Sequence, residues 1–122
     1  VPTNLVRAVI ACESGGDPKA LSSAGAVGLL QVMPFNARKL GLKQRDLSVP
    51  RLNILAGVRL LAVLLKHYGG ELVPSLVAYN AGPRPRGAAI PKNGETPDYV
   101  ACVLERVRSI ESGRVVAPPT KQ

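Results

Sequence analysis

Of the eight acidic side chains in this 122-residue sequence, Glu13 is the one best placed for proton-transfer chemistry. It follows Leu5, Ala8, Val9 and Cys12, which recur at the spacing of one helix face, and it precedes Gly15-Gly16, which break a helix. A carboxylate at a helix C-terminus meets the negative end of the helix dipole, and apolar Val9 and Ile10 beside it add desolvation. Arg7, the nearest preceding cation, points to another face. These influences favour the neutral acid, so its pKa is expected to rise, as a general acid near neutral pH requires. The bland alternative is a carboxylate exposed where the helix frays.

The other acids have plainer explanations. Asp17 belongs to an Asp-Pro turn, Asp98 to a helix start, and Glu105 and Glu111 to a helix, while Asp46 and Glu71 sit beside helix starts. Glu95 alone is also a plausible cleft residue, with a capping-turn acid as its plain reading. Tyr79 offers an aromatic body and one hydroxyl, suited to holding Glu13 or a ligand, or to a place in the core. Gln31 can read a ligand's amide or satisfy backbone; Ser22 can donate to a ligand or cap a turn. Met33 reads first as packing, Asn80 as a helix end, and His67 as a cation in a helix's last turn. Cys12 and Cys102 form no C-x-x-C or Cys/His cluster, so neither a zinc site nor a thioredoxin-like motif is expected.

Five helices must position these groups. The first runs from Thr3 to about Cys12, with Thr3 or Asn4 able to cap it. Residues 22–28 hold two Ser and two Gly and read as a small hairpin or an ordered loop. A short helix opens at Pro34 and stops at Gly41. The strongest pattern starts at Pro50: Leu52, Leu55, Ala56, Val58, Leu61, Ala62 and Leu65 lead to Tyr68 and Gly69-Gly70. It is apolar around much of its circumference and is expected at the centre. A fourth helix spans about Leu72 to Asn80 with Val73, Leu76 and Val77 inward. After the Pro- and Gly-rich loop 81–95, Thr96-Pro97-Asp98 reads as a cap, a first-position proline and an acidic first turn for a helix to Gly113. The fold class is mainly α, or α+β at most: one domain over 1–113 with a frayed tail at 114–122.

Sixteen Lys and Arg against eight acids leave a net charge of +8, which favours an anionic partner. The charges are scattered, with no RNP-type or zinc-finger motif, so nucleic acid is not the expected partner. Arg59 interrupts the longest apolar run, and no membrane span is predicted. No signal peptide is visible, which in a trimmed chain says nothing about export. The two cysteines are either buried thiols or one disulfide closing a long loop. Packing of the first helix on the last would bring them together, and a disulfide is the expectation.

The motifs resemble those of the soluble lytic transglycosylases. The resemblance lies in Glu13-Ser14, Asp17-Pro18-Lys19-Ala20, Ser22, Gly25-Ala26, Gly28-Leu29-Leu30-Gln31 and Met33-Pro34. It continues in Asn53-Ile54 with Gly57, in Ala78-Tyr79-Asn80-Ala81-Gly82-Pro83, and in Glu95-Thr96-Pro97 with Tyr99-Val100. Together these blocks cover about residues 5–105 in order.

The resemblance implies a lysozyme-like fold and cleavage of the β-1,4 bond between N-acetylmuramic acid and N-acetylglucosamine in peptidoglycan. Glu13 matches the family's single catalytic acid; Ser22, Gln31, Met33, Tyr79 and Glu95 match its sugar cleft, and Asn80 and Tyr99 complete the expected substrate-binding set. One acid suffices when the substrate's own N-acetyl group assists, an exception to the usual two carboxylates. The product would then carry a 1,6-anhydro end, and no metal or other cofactor would be needed. Two departures stand out. Leu30 occupies a position where Met is common. The turn Arg84-Pro85-Arg86-Gly87 is unusually basic and, with Lys92, could meet stem-peptide carboxylates or form a solvated basic face. A monomer working in the periplasm or otherwise exported is implied, with peptidoglycan strands as partner and a secretion, pilus or phage apparatus as a possible host. The alternatives are a hydrolase like goose-type lysozyme, with Glu95 as second carboxylate, and a non-catalytic glycan-binding module.

Overall fold

Helix signals in the sequence become five α-helices in the computed structural model, which describes residues 1–82 and 89–113. The tail 114–122 and the turn Arg84 to Gly87 lie outside the described residues.

Helix α1 spans Thr3–Ser14, two residues past the predicted end. Gly15 at φ 63° donates its N–H to Ala11 O, and the Ser14 hydroxyl donates to Ile10 O at 3.1 Å, so the last turn closes with Glu13 inside it. Neither Thr3 nor Asn4 caps the start. The N-cap is Pro2, whose carbonyl accepts from Leu5 and Val6, because the helix already begins at Thr3. Helix α2, Pro34–Lys39, opens on its proline as expected.

A 3₁₀ helix over Gln44–Ser48 was not foreseen from the sequence. The Asp46 carboxylate accepts the Lys43 N–H at 2.8 Å, and Leu47 is fully buried. Helix α3, Pro50–His67, buries Asn53, Ala56, Gly57, Leu61 and Leu64. It is less central than predicted: Leu55, Ala62 and Val63 face solvent, because the neighbouring elements cover only one of its sides. Helix α4 spans Leu72–Ala81 and buries Leu76 and Val77, with Val73 packed partly against the core.

Helix α5, Glu95–Glu111, starts one residue before the predicted cap. Thr96 is therefore inside the first turn and fully buried, while Asn93 Oδ1 accepts its N–H at 2.8 Å and takes over the capping.

Helices α1 and α5 make the largest helix–helix interface, and α4 packs on both α3 and α5. The core between them holds Leu5, Ala8, Val9, Leu76, Val100 and Val103. Cys12 and Cys102 form a disulfide across the α1–α5 interface, linking residues 90 apart in sequence. Between α1 and α2 the chain makes only two isolated bridges, Leu21 with Val27 and Val27 with Val32, so the predicted hairpin region is an ordered loop. No helix among the described residues is long and apolar enough to cross a membrane.

Candidate active site

All eight acids lie within the described residues, and Glu13 alone among them is buried, with 7% of its surface exposed. The final turn of α1 presents it toward α5. There Tyr99 is equally buried, and its hydroxyl has no hydrogen-bond partner of ordinary geometry. Burial pushes the Tyr99 phenol well above its usual 10.0; the Glu13 charge, Tyr79 and a loose hydrogen-bonding approach to Glu13 push the same way. Tyr79 is likewise raised well above 10.0, by burial first and then by the Glu13 charge. Three acidic side chains from α1, α4 and α5 thus sense one another in one poorly solvated place.

The Tyr79 hydroxyl is tied to the loop between α1 and α2. It donates to the Leu30 carbonyl at 2.6 Å. That carbonyl belongs to the loop 20–32, which α3 holds from the other side. Asn53, 1% exposed, accepts the Leu30 N–H at 2.8 Å and donates to Val27 O and Leu47 O at 2.7 and 2.9 Å. Side chains from two helices therefore satisfy both backbone groups of Leu30.

Close approach makes this possible. Gly28 sits at φ 78°, and a Cβ there would stand 2.9 Å from Asn53 Cγ. A Cβ on Gly57 would stand 2.6 Å from Leu30 Cβ, so α3 can lie against the loop only as glycine. Asn53 and Gly57 were part of the motif blocks but carried no assigned role. The available signal was a lone amide on the buried stripe of an apolar helix, where an unpaired polar group would be costly.

Gln31 follows at φ 49°, the one non-glycine residue with positive φ among those described. Its Nε2 donates to Ala20 O and Gly28 O at 3.1 and 2.9 Å, so the amide satisfies backbone, leaving Oε1 as its acceptor for a ligand. Ser22 caps its own turn by accepting the Ala26 N–H at 2.9 Å. Met33, half-buried, lines a pocket of about 530 Å³ together with Tyr79 and Asn80; Phe35, Leu60 and Val63 make its apolar walls. Glu13 does not line this pocket.

Asn80 lies in the last turn of α4, as its reading as a helix end expected. Its Oδ1 accepts from the Thr96 hydroxyl at 2.6 Å, which ties α4 to the start of α5. Glu95 is exposed as the first residue of α5, one turn before Tyr99 on the same face. None of the seven acids other than Glu13 is buried. Among the described residues no three His, Cys, Asp or Glu side chains group closely enough to hold a metal ion.

Residues 1–101 match the family model described as the Transglycosylase SLT domain. The chain is 34% identical over 116 residues to a transglycosylase of Enterobacteria phage PRD1, covering 93% of this chain and 41% of that protein. It is 37% identical over 73 residues to the endo-type membrane-bound lytic murein transglycosylase A of Klebsiella pneumoniae, covering 52% and 36%. An inactive mutant of lytic transglycosylase Slt from Pseudomonas aeruginosa superposes with a TM-score of 0.77 at 24% identity, over 98% of this chain and 23% of that one, and so shares the fold. The chain spans less than half the length of these relatives.

Proposed function

The chain belongs to the transglycosylase SLT domain family, and on that premise we propose that it is a lytic transglycosylase. Its substrate is the β-1,4 bond between N-acetylmuramic acid and N-acetylglucosamine in peptidoglycan. The observation that carries this reading is Glu13, the single buried acid of the chain, beside the buried phenol of Tyr99 and the half-buried one of Tyr79. Desolvation favours its neutral form, which is the form that can donate a proton.

Glu13 then protonates the glycosidic oxygen leaving with N-acetylglucosamine. The acetamido oxygen of the muramic acid stabilises positive charge at C1 as that bond breaks. Glu13, now a carboxylate, removes the proton from the same sugar's 6-hydroxyl, whose oxygen closes on C1. One glycosidic bond is exchanged for another, no water is consumed, and Glu13 ends protonated. Tyr79, Asn80 and Met33 line the sugar cleft, with Gln31 Oε1 and the Ser22 hydroxyl facing the acetamido groups and Glu95 and Tyr99 completing the wall. Exposed Glu95 gives a hydrolase no buried second carboxylate.

The substrate lies outside the cytoplasm, and a structural disulfide suits an oxidising compartment. Local wall opening for a secretion, pilus or phage apparatus is one role open to such an activity. Mass spectrometry of digested sacculi tests the chemistry. Fragments one water lighter than reducing muropeptides, and resistant to borohydride, are expected. Reducing ends would establish a hydrolase, and a bound but inert protein would establish a glycan-binding module.

A further inference from the structure

Cys12 directly precedes Glu13, and Cys102 follows Tyr99 by three residues, less than one helical turn. The disulfide between them therefore joins the two backbone stretches that carry the buried carboxylate and the buried phenol. Resting on the reading of Glu13 as the acid, we propose that the Cys12–Cys102 disulfide is a positioning device for Glu13, and that the oxidised chain is the competent form.

The last turn of α1 has reasons to open. Helix ends fray, and the helix dipole and burial both oppose a carboxylate there. The two residues that follow α1, Gly15 and Gly16, both have positive φ, and Gly16 has open space around it. Unwinding across them would carry Glu13 into water. The apolar anchors Leu5, Ala8 and Val9 lie on earlier turns of α1, and the Ser14 hydroxyl bonds back within its own helix to Ile10. Cys12 is thus the last buried hydrophobic residue of α1, and its sulfur bond is the covalent tie to α5 at that end. With the tie intact, Glu13 stays facing Tyr99.

Half-buried Cys102 gives a small dithiol access to the bond. Reduction breaks the S–S bond and delivers two electrons and two protons to the cysteines, leaving the dithiol as its own disulfide. Oxidation by a disulfide-bearing partner reverses each change. The consequence is a wall-cutting activity that is weak under reducing conditions and full after oxidation.

The whole chain, oxidised or reduced with dithiothreitol, is assayed on sacculi at low temperature, with the Cys12→Ala/Cys102→Ala variant as a permanent mimic of the reduced form. Helical circular dichroism and KM are expected to hold within about twofold while kcat falls on the order of 10- to 100-fold, since small misplacements of a reacting group cost that much. Reoxidation restores kcat in the native sequence. Amide exchange over 11–16 is expected to quicken on reduction, with α3 unchanged. Equal kcat in both forms overturns the proposal. So does a parallel loss of helical signal, binding and activity, which would make the bond a stabiliser alone. An oxidised chain that releases no fragments overturns the proposed function instead; faster exchange over 11–16 on reduction would then still support the tether, and unchanged exchange would overturn it.

Discussion

At the residue scale, three titratable groups, Glu13, Tyr79 and Tyr99, share one poorly solvated space, and burial pushes both phenols up. Glu13→Gln keeps size and hydrogen bonding but cannot donate the proton; sacculus cleavage is expected to fall at least about 10³-fold, with pelleting on sacculi and the thermal midpoint preserved. The two tyrosines separate by their hydrogen bonds. Tyr79→Phe strips the Leu30 carbonyl of its donor and is expected to cost about 1–3 kcal/mol. Tyr99→Phe removes a hydroxyl with no well-formed bond and should stay within about 0.5 kcal/mol in the same denaturant titration. Both phenols are raised above 10.0 in the folded state, so the folded chain holds protons there that the unfolded chain releases. Their contribution is complete below pH 10 and is lost as pH rises further, by up to about 1.4 kcal/mol per pH unit for each phenol. Denaturation followed from pH 9 to 12 checks the sign, and the Tyr99→Phe chain should show a shallower fall.

At the element scale, the loop 20–32 is an irregular segment held in place by α3 and α4. Asn53 carries three of the bonds that hold it. Asn53→Ala leaves one N–H and two carbonyls without those partners and is expected to cost about 3 kcal/mol or more, read as a lowered denaturation midpoint. Gly57 offers a contest of two effects. Alanine in a helix interior is favoured over glycine by about 1 kcal/mol. Against that, the new methyl would meet the Leu30 Cβ at 2.6 Å, and neither atom can swing away. Overpacking of this kind costs about 1–3 kcal/mol, so Gly57→Ala should destabilise, and a raised thermal midpoint would refute the close approach.

At the scale of the whole molecule, the disulfide closes a loop of 90-residue separation. Constraining the unfolded chain over that length is worth about 4 kcal/mol, so reduction should lower the denaturant midpoint markedly while the α1–α5 packing remains. That loss is distinct from the fall in kcat proposed for Glu13 misplacement, because it concerns the unfolded ensemble. The net charge of +8 acts at the same scale. Binding to anionic sacculi should weaken as salt rises from about 0.05 to 0.5 M, since exposed cations are screened beyond a Debye length of ~10 Å at 0.1 M.

Helix content was legible in the sequence because periodic apolar residues and Gly/Pro punctuation are local signals: α2, α3 and α4 begin where Pro34, Pro50 and Leu72 place them. The motif blocks marked the family for the same reason, and Glu13 stood out by its position against a helix end. What needed the tertiary structure was every relation between distant segments. The sequence offered buried thiols or a disulfide for Cys12 and Cys102, with the disulfide expected if the first and last helices packed, and the packing of α1 on α5 decides for it. Thr96 looked like a cap and is a buried bridge to Asn80, because the helix began one residue earlier and Asn93 did the capping. Tyr79 read as a group to hold Glu13 or a sugar, or as a core residue, and nothing local showed that its hydroxyl donates to a loop carbonyl 49 residues away. Asn53 showed only as one amide in an apolar helix; its three partners lie 6 to 26 residues off in sequence. Local propensity depends on neighbours along the chain, whereas a buried polar group is satisfied by whatever the fold brings to it, and only the packed helices decide that.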